Sequence, residues 1–122
     1  MTYVKLRINA KNLEVTSEYV FDTLFKRTKV SQEGNLGRIA KELVKLAAKR
    51  GDAGLFAQDW EDIIKNYEVS RYNYFFIIKT LKSAGILRKT NGRYYVIKDF
   101  NKHLTKMVGA INEFYMDIGV NM

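Results

Sequence analysis

The stretch that decides the fold is residues 69–97, VSRYNYFFIIKTLKSAGILRKTNGRYYVI. Its first half has apolar residues at helical spacing, opens on Ser70, a residue type that caps helix N-termini, and closes on Gly85. Glycine ends helices because it takes the left-handed conformation at no steric cost. Its second half sets two short apolar runs, Ile86-Leu87-Arg88-Lys89 and Arg93-Tyr94-Tyr95-Val96-Ile97, on either side of Asn91-Gly92. An Asn-Gly pair between apolar runs is the strongest local signal for a tight hairpin. The stretch therefore predicts a helix over 70–84 followed directly by a two-stranded hairpin.

Upstream, Leu36, Ile39, Ala40, Leu43, Leu46 and Ala47 recur at intervals of three and four, with Arg38, Lys41, Glu42, Lys45 and Lys49 on the other face. That is an amphipathic helix, ending at Gly51. Leu55-Phe56 has room for a minimal strand. Asp59, Glu61 and Asp62 surround Trp60 and lead into Ile63, Ile64 and Tyr67, a second short helix. Carboxylates in a first turn suit the positive end of the helix dipole, so they are read as structural rather than as a catalytic pair. A turn at Glu68-Val69 then leads to Ser70. Residues 16–28 fit a helix opened by Thr16 or Ser17, but Tyr19, Phe21, Thr23 and Phe25 also alternate as a strand would; helix is the expectation. Residues 3–8 alternate Val4, Leu6 and Ile8 against Lys5, Arg7 and Asn9 and predict a strand.

This order of helix, minimal strand, helix, tight turn, helix and hairpin resembles the winged helix-turn-helix DNA-binding superfamily. The residues carry the resemblance as well. Val69 precedes a Ser cap, Tyr74, Ile78 and Leu81 hold the apolar positions, and Ala84-Gly85-Ile86-Leu87 feeds the first wing strand. The similarity covers residues 35–98, and its tone is that of small archaeal or mobile-element regulators. The expected fold is mainly helical α+β, with an N-terminal extension (1–34), a winged helix-turn-helix domain (35–98) and a C-terminal dimerisation helix (99–122). The resemblance implies double-stranded DNA as partner, with the helix over 70–84 in the major groove and the hairpin as a wing on phosphates.

The charge distribution points the same way. Of 122 residues, 21 are Lys or Arg and 13 Asp or Glu, a formal charge of +8, but the excess is uneven. Residues 1–30 carry +3, residues 31–68 carry −1, residues 69–99 carry +6 and residues 100–122 are neutral. Phosphate contacts by Lys and Arg release condensed counterions from a duplex, so a DNA binder concentrates cations on the elements that touch it. Here these are Arg71, Lys79 and Lys82 on the helix, and Arg88, Lys89, Arg93 and Lys98 on or beside the wing. With Tyr74 facing the core, a turn of 100° per residue puts Ile77, Ile78 and Leu81 on the same side. Tyr72, Phe76, Lys79 and Ser83 fall on the far side. The expected DNA-contacting set is Ser70, Arg71, Tyr72, Asn73, Phe76, Lys79, Arg88, Lys89, Asn91 and Arg93. Asn73 suits a bidentate pair with adenine, Arg71 a guanine or a phosphate, and the two aromatics thymine methyl groups. The other reading of these aromatics is that Phe76 is covered by the N-terminal segment or by a partner protein; a protein–protein adaptor through Tyr72 and Phe76 is the alternative function, and an architectural or plasmid-segregation role shares the DNA chemistry.

Near the C-terminus, Phe100, Leu104, Met107, Ile111, Phe114 and Ile118 are spaced four, three, four, three, four, the pattern of a coiled-coil seam. Val108 and Tyr115 widen it. The expectation is a homodimer that presents two recognition helices to half-sites one duplex turn, about 34 Å, apart.

Other function classes find little support. There is no Cys and one His, so disulfide frameworks, structural zinc and iron–sulfur ligation lack their ligands. His103 falls away from the apolar stripe of its helix and reads as a solvated residue. Ser17, Ser31, Ser70 and Ser83 have no evident base partner, and Gly51-Asp52-Ala53-Gly54 lacks the spacing and terminal Gly-Lys of a phosphate loop. The expectation is a non-enzyme without cofactor or metal. No run approaches the roughly 18–20 apolar residues of a membrane span, and nothing resembles a signal peptide, so a cytoplasmic protein without a membrane partner is expected.

Overall fold

A computed structural model describes residues 16–25 and 35–120. Five helices and three short strands follow in the order α1 (Ser17–Leu24), α2 (Asn35–Lys49), β1 (Leu55–Phe56), α3 (Trp60–Tyr67), α4 (Arg71–Ala84), β2 (Leu87–Thr90), β3 (Arg93–Val96) and α5 (Asp99–Asp117). The strand expected over residues 3–8 lies outside the described residues. The architecture is mainly helical α+β and winged-helix-like, with helices packed beside a three-stranded antiparallel sheet of order β1-β3-β2.

Residues 16–28, which fit two patterns, resolve as a helix where described. Thr16 caps α1 by accepting a bond from the Tyr19 N–H at 3.2 Å. Its last turn delivers Leu24 and Phe25 into the core. The core therefore draws side chains from both sides of the boundary expected at residue 34. Two contacts fix α1 on α2. The Glu18 carboxylate pairs with the Lys41 ammonium, which holds that carboxyl down at about 2. At Gly37 the helices approach so closely that a Cβ would stand 2.7 Å from Asp22 Oδ1 and 3.2 Å from the Asp22 backbone nitrogen.

The α2 stripe packs as its spacing requires: Leu36, Ile39, Ala40, Leu43 and Ala47 are buried, and Leu46 is half-buried. They meet Ile63 of α3, Tyr74, Ile77, Ile78 and Leu81 of α4, and Leu55, Leu87 and Tyr94 of the sheet. Cross-strand partners share a face, so the pairings Leu55–Tyr94, Lys89–Tyr94 and Leu87–Val96 define the core-side face. Phe56–Arg93, Thr90–Arg93 and Arg88–Tyr95 define the outer one.

Candidate nucleic-acid interface

The turn between α3 and α4 is made by two residues of unlike conformation. Glu68 takes the left-handed conformation at φ 52°, ending α3, and Ser70 is extended. The Ser70 Oγ accepts from the Asn73 N–H at 3.0 Å, satisfying a donor that the first helical turn would otherwise leave unpaired. This cap sets the start of α4 and puts Arg71, Tyr72 and Asn73 in its first turn.

The α4 inner face is Tyr74, Ile77, Ile78 and Leu81, as the angular arithmetic predicts, with Thr80 also buried. The outer face differs in one respect. Tyr72 is 77% exposed and Lys79 is exposed, but Phe76 is half-buried, its ring standing edge-on to Phe25 at 6.0 Å. The end of α1 packs against it, so of the two aromatics Tyr72 is the one that faces fully outward. On the other flank, Phe75 is exposed at 40% and packs on Trp60 with ring centroids 5.8 Å apart, and the Arg71 guanidinium lies 4.7 Å above the Trp60 ring. Sequence reasoning missed Trp60 and Phe75. The i,i+4 spacing of Arg71 and Phe75 was the available signal, but their common partner on α3 is set by tertiary packing.

At its far end α4 closes in a Schellman motif. Gly85 takes φ 82°, its N–H bonds to the Lys82 carbonyl, and the Ile86 N–H reaches the Leu81 carbonyl at 3.0 Å. One residue later the chain is in β2. The hairpin turns through Asn91 (φ 52°) and Gly92 (φ 72°), both left-handed, the combination whose twist matches paired strands. The Gly92 carbonyl accepts from the Ala57 N–H at 2.8 Å, which ties the wing tip to the chain after β1.

The wing cations divide into two kinds. Arg88 is exposed on the outer face, and Lys89 is exposed with its Nζ 5.9 Å from the Tyr94 ring centroid. Arg93 is half-buried. Its guanidinium lies 4.6 Å over the Phe56 ring, and Nη1 donates to the Ala53 carbonyl at 3.3 Å, so it braces β1 against the hairpin. Across residues 69–99, none of Arg71, Lys79, Lys82, Arg88, Lys89, Arg93 and Lys98 is ion-paired among the described residues. Elsewhere Lys41, Lys45, Arg50 and Lys102 are paired, whereas Arg38, Lys49, Lys65 and Lys106 have no ion pair among the described residues. Asp59 belongs to that second group: its carboxylate lies 3.6 Å from Arg50, while Glu61 and Asp62 occupy the first turn of α3.

The C-terminal helix stands apart from this body. α5 has no buried residue. Phe100 and Leu104 are half-buried, Phe100 against the core, while Met107, Ile111, Phe114 and Ile118 are 43–57% exposed. The helix nonetheless ends firmly, with Gly119 at φ 82° and the Val120 N–H on the Tyr115 carbonyl at 2.8 Å. No helix among the described residues is long and apolar enough to cross a membrane.

A family model described as an archaeal family matches residues 18–112, from the first turn of α1 through most of α5. No curated protein and no solved structure matches the chain.

Proposed function

The chain belongs to this archaeal family, and we propose that it is a double-stranded DNA-binding protein that works as a homodimeric transcriptional regulator. One observation carries the reading: the +6 of residues 69–99 lies on or beside α4 and the wing of a winged-helix-like fold, and its cations have no carboxylate partner among the described residues. Unpaired cations gathered on two adjoining elements are what a phosphate backbone selects.

In this reading α4 enters the major groove with its first turn leading, the end from which helix-turn-helix proteins contact base edges. Asn73 pairs with an adenine, Tyr72 meets a thymine methyl, and Arg71, steadied by Trp60, reaches guanine or phosphate. A guanidinium resting on a ring loses less freedom on binding than a free one, so Trp60 is a positioning residue. Lys79, Arg88 and Lys89 hold phosphates, and the Asn91 turn approaches the backbone. Arg93 contributes mainly by keeping the wing in place. Pairing through α5 follows from its exposed seam, because a surface helix with this much open apolar area ordinarily has a partner.

The reading separates sequence recognition from charge. Asn73→Ala removes a base contact of roughly 1–3 kcal/mol from each copy, so it should weaken a preferred duplex by about 30-fold or more and random duplex far less. Lys89→Ala should weaken both alike and lower the salt slope by about two, one phosphate contact being lost from each copy. Equal losses on both duplexes for both variants contradict a regulator.

A further inference from the structure

Resting on the reading of α5 as the pairing helix, we infer that two copies join through it in antiparallel orientation, about an axis level with Gly109. The seam is the first reason. Phe100, Leu104, Met107, Ile111, Phe114 and Ile118 give the same spacing in either direction, and their midpoint is residue 109. A reversed second copy therefore matches Phe100 with Ile118, Leu104 with Phe114 and Met107 with Ile111, with no seam residue left over.

Charge is the second reason. The start of the helix and its cap hold Lys98, Asp99, Lys102, His103 and Lys106, whereas its second half holds Glu113 and Asp117 and no base. Reversal sets Lys106 within one residue of the level of Glu113 and Lys102 within one residue of the level of Asp117. A parallel pair lays the basic halves together and the acidic halves together, and also aligns the two helix dipoles.

Exposure is the third. The domain already half-covers Phe100, Leu104 is half-buried, and Phe114 and Ile118 are the most exposed positions of the seam, at 54% and 57%. In the reversed pair the open end of each helix closes over the half-covered end of the other, beside its domain. Parallel pairing crowds both domains at one end. At 1.5 Å per residue, reversal separates the two Phe100 positions by about 27 Å along the axis. Each α5 starts where α4 and the wing meet, so this spacing holds two recognition helices apart on the scale of one duplex turn, about 34 Å.

The chain has no cysteine, so introduced thiols report the orientation directly. Sedimentation of the unaltered protein comes first; a monomer there overturns the dimer itself. Leu104→Cys and Phe114→Cys are then oxidised mildly, each alone and after being unfolded and refolded together, with one carrying a size tag. In the antiparallel pair, like positions are about 15 Å apart along the axis, beyond the roughly 7 Å Cα separation that a disulfide spans. The expected result is a mixed disulfide between the two variants and none in either alone. Crosslinking of Leu104→Cys with itself overturns the orientation while leaving the dimer standing. A dimer that crosslinks in none of the three samples overturns the seam.

Discussion

Gly85 is the joint at which α4, the wing and α5 meet, and replacing it with alanine should cost far more than the same change at Gly92, a left-handed glycine with open space around it. Two effects act at once. At φ 82° a Cβ costs about 1 kcal/mol. That Cβ would also stand 2.9 Å from Asp99 Cβ and 2.9 Å from the Phe100 nitrogen, well inside the roughly 3.5–4.0 Å of a relaxed carbon contact. Both neighbours belong to the start of α5, and one is backbone, so α5 must move. The Phe100 N–H also bonds to the Gly85 carbonyl at 3.0 Å, and moving α5 strains that bond. Overpacking of this kind costs roughly 1–3 kcal/mol, giving a total of about 2–4 kcal/mol for Gly85→Ala. Gly92 is the control: φ is 72° and nothing lies within 4 Å of the added carbon, so Gly92→Ala carries the conformational term alone, about 1 kcal/mol. The narrowing of the unfolded chain by alanine is common to both and cancels. For a domain of this size 1 kcal/mol moves Tm by about 4 °C. Calorimetry should show a fall of about 8–16 °C for Gly85→Ala and about 4 °C for Gly92→Ala. Equal falls would refute the close seating of α5 on the end of α4.

Three further outcomes follow from the packing. The Tyr74 hydroxyl is buried with no hydrogen-bond partner among the described residues, so Tyr74→Phe should raise stability by about 1 kcal/mol in urea titration; a loss would show that the hydroxyl is bonded in solution. Burial first, then Tyr94 and Asp59, pushes the Tyr74 hydroxyl above its ordinary value of 10.0, and burial pushes Tyr94 up as well. A raised acid of this kind supports the fold fully below pH 10 and loses that support as pH climbs through the folded value, so stability should decline above pH 10 and less steeply in Tyr74→Phe. Finally, Ile111→Lys combined with Phe114→Glu should yield a folded monomer in sedimentation, since neither side chain contributes to the core. A persistent dimer would place the interface elsewhere.

Most of the framework was legible because its signals are local. Ser70 acts through its hydroxyl on a backbone N–H three residues on, Gly85 and Asn91-Gly92 through their own backbone, and together they mark where α4 begins, where it ends and where the wing turns. The α2 stripe was equally clear, since a single helix face records burial directly. What escaped is what depends on a distant neighbour. The angle puts Phe76 on the solvent side of α4 and leaves its cover by the N-terminal segment open, and it is half-covered because Phe25, some fifty residues earlier, ends α1 beside it. Arg93 has the composition of a phosphate ligand, but β1 lies alongside β3 and offers it the Phe56 ring and the Ala53 carbonyl. Arg71 reads as a free cation until α3 supplies Trp60. In each case periodicity identifies the face and not its neighbour.

The central claim is that the unpaired cations of α4 and the wing meet duplex phosphates. It is tested most directly by titrating binding to duplex DNA against salt. If Lys79, Arg88 and Lys89 each neutralise a phosphate in both copies of a dimer, log Kobs should fall linearly with log salt at a slope of about −5. The account predicts that steep line, with the slope lowered in magnitude by about two when Lys89→Ala removes one contact per copy. Absence of duplex binding at low salt, or binding that salt leaves unchanged, would contradict it.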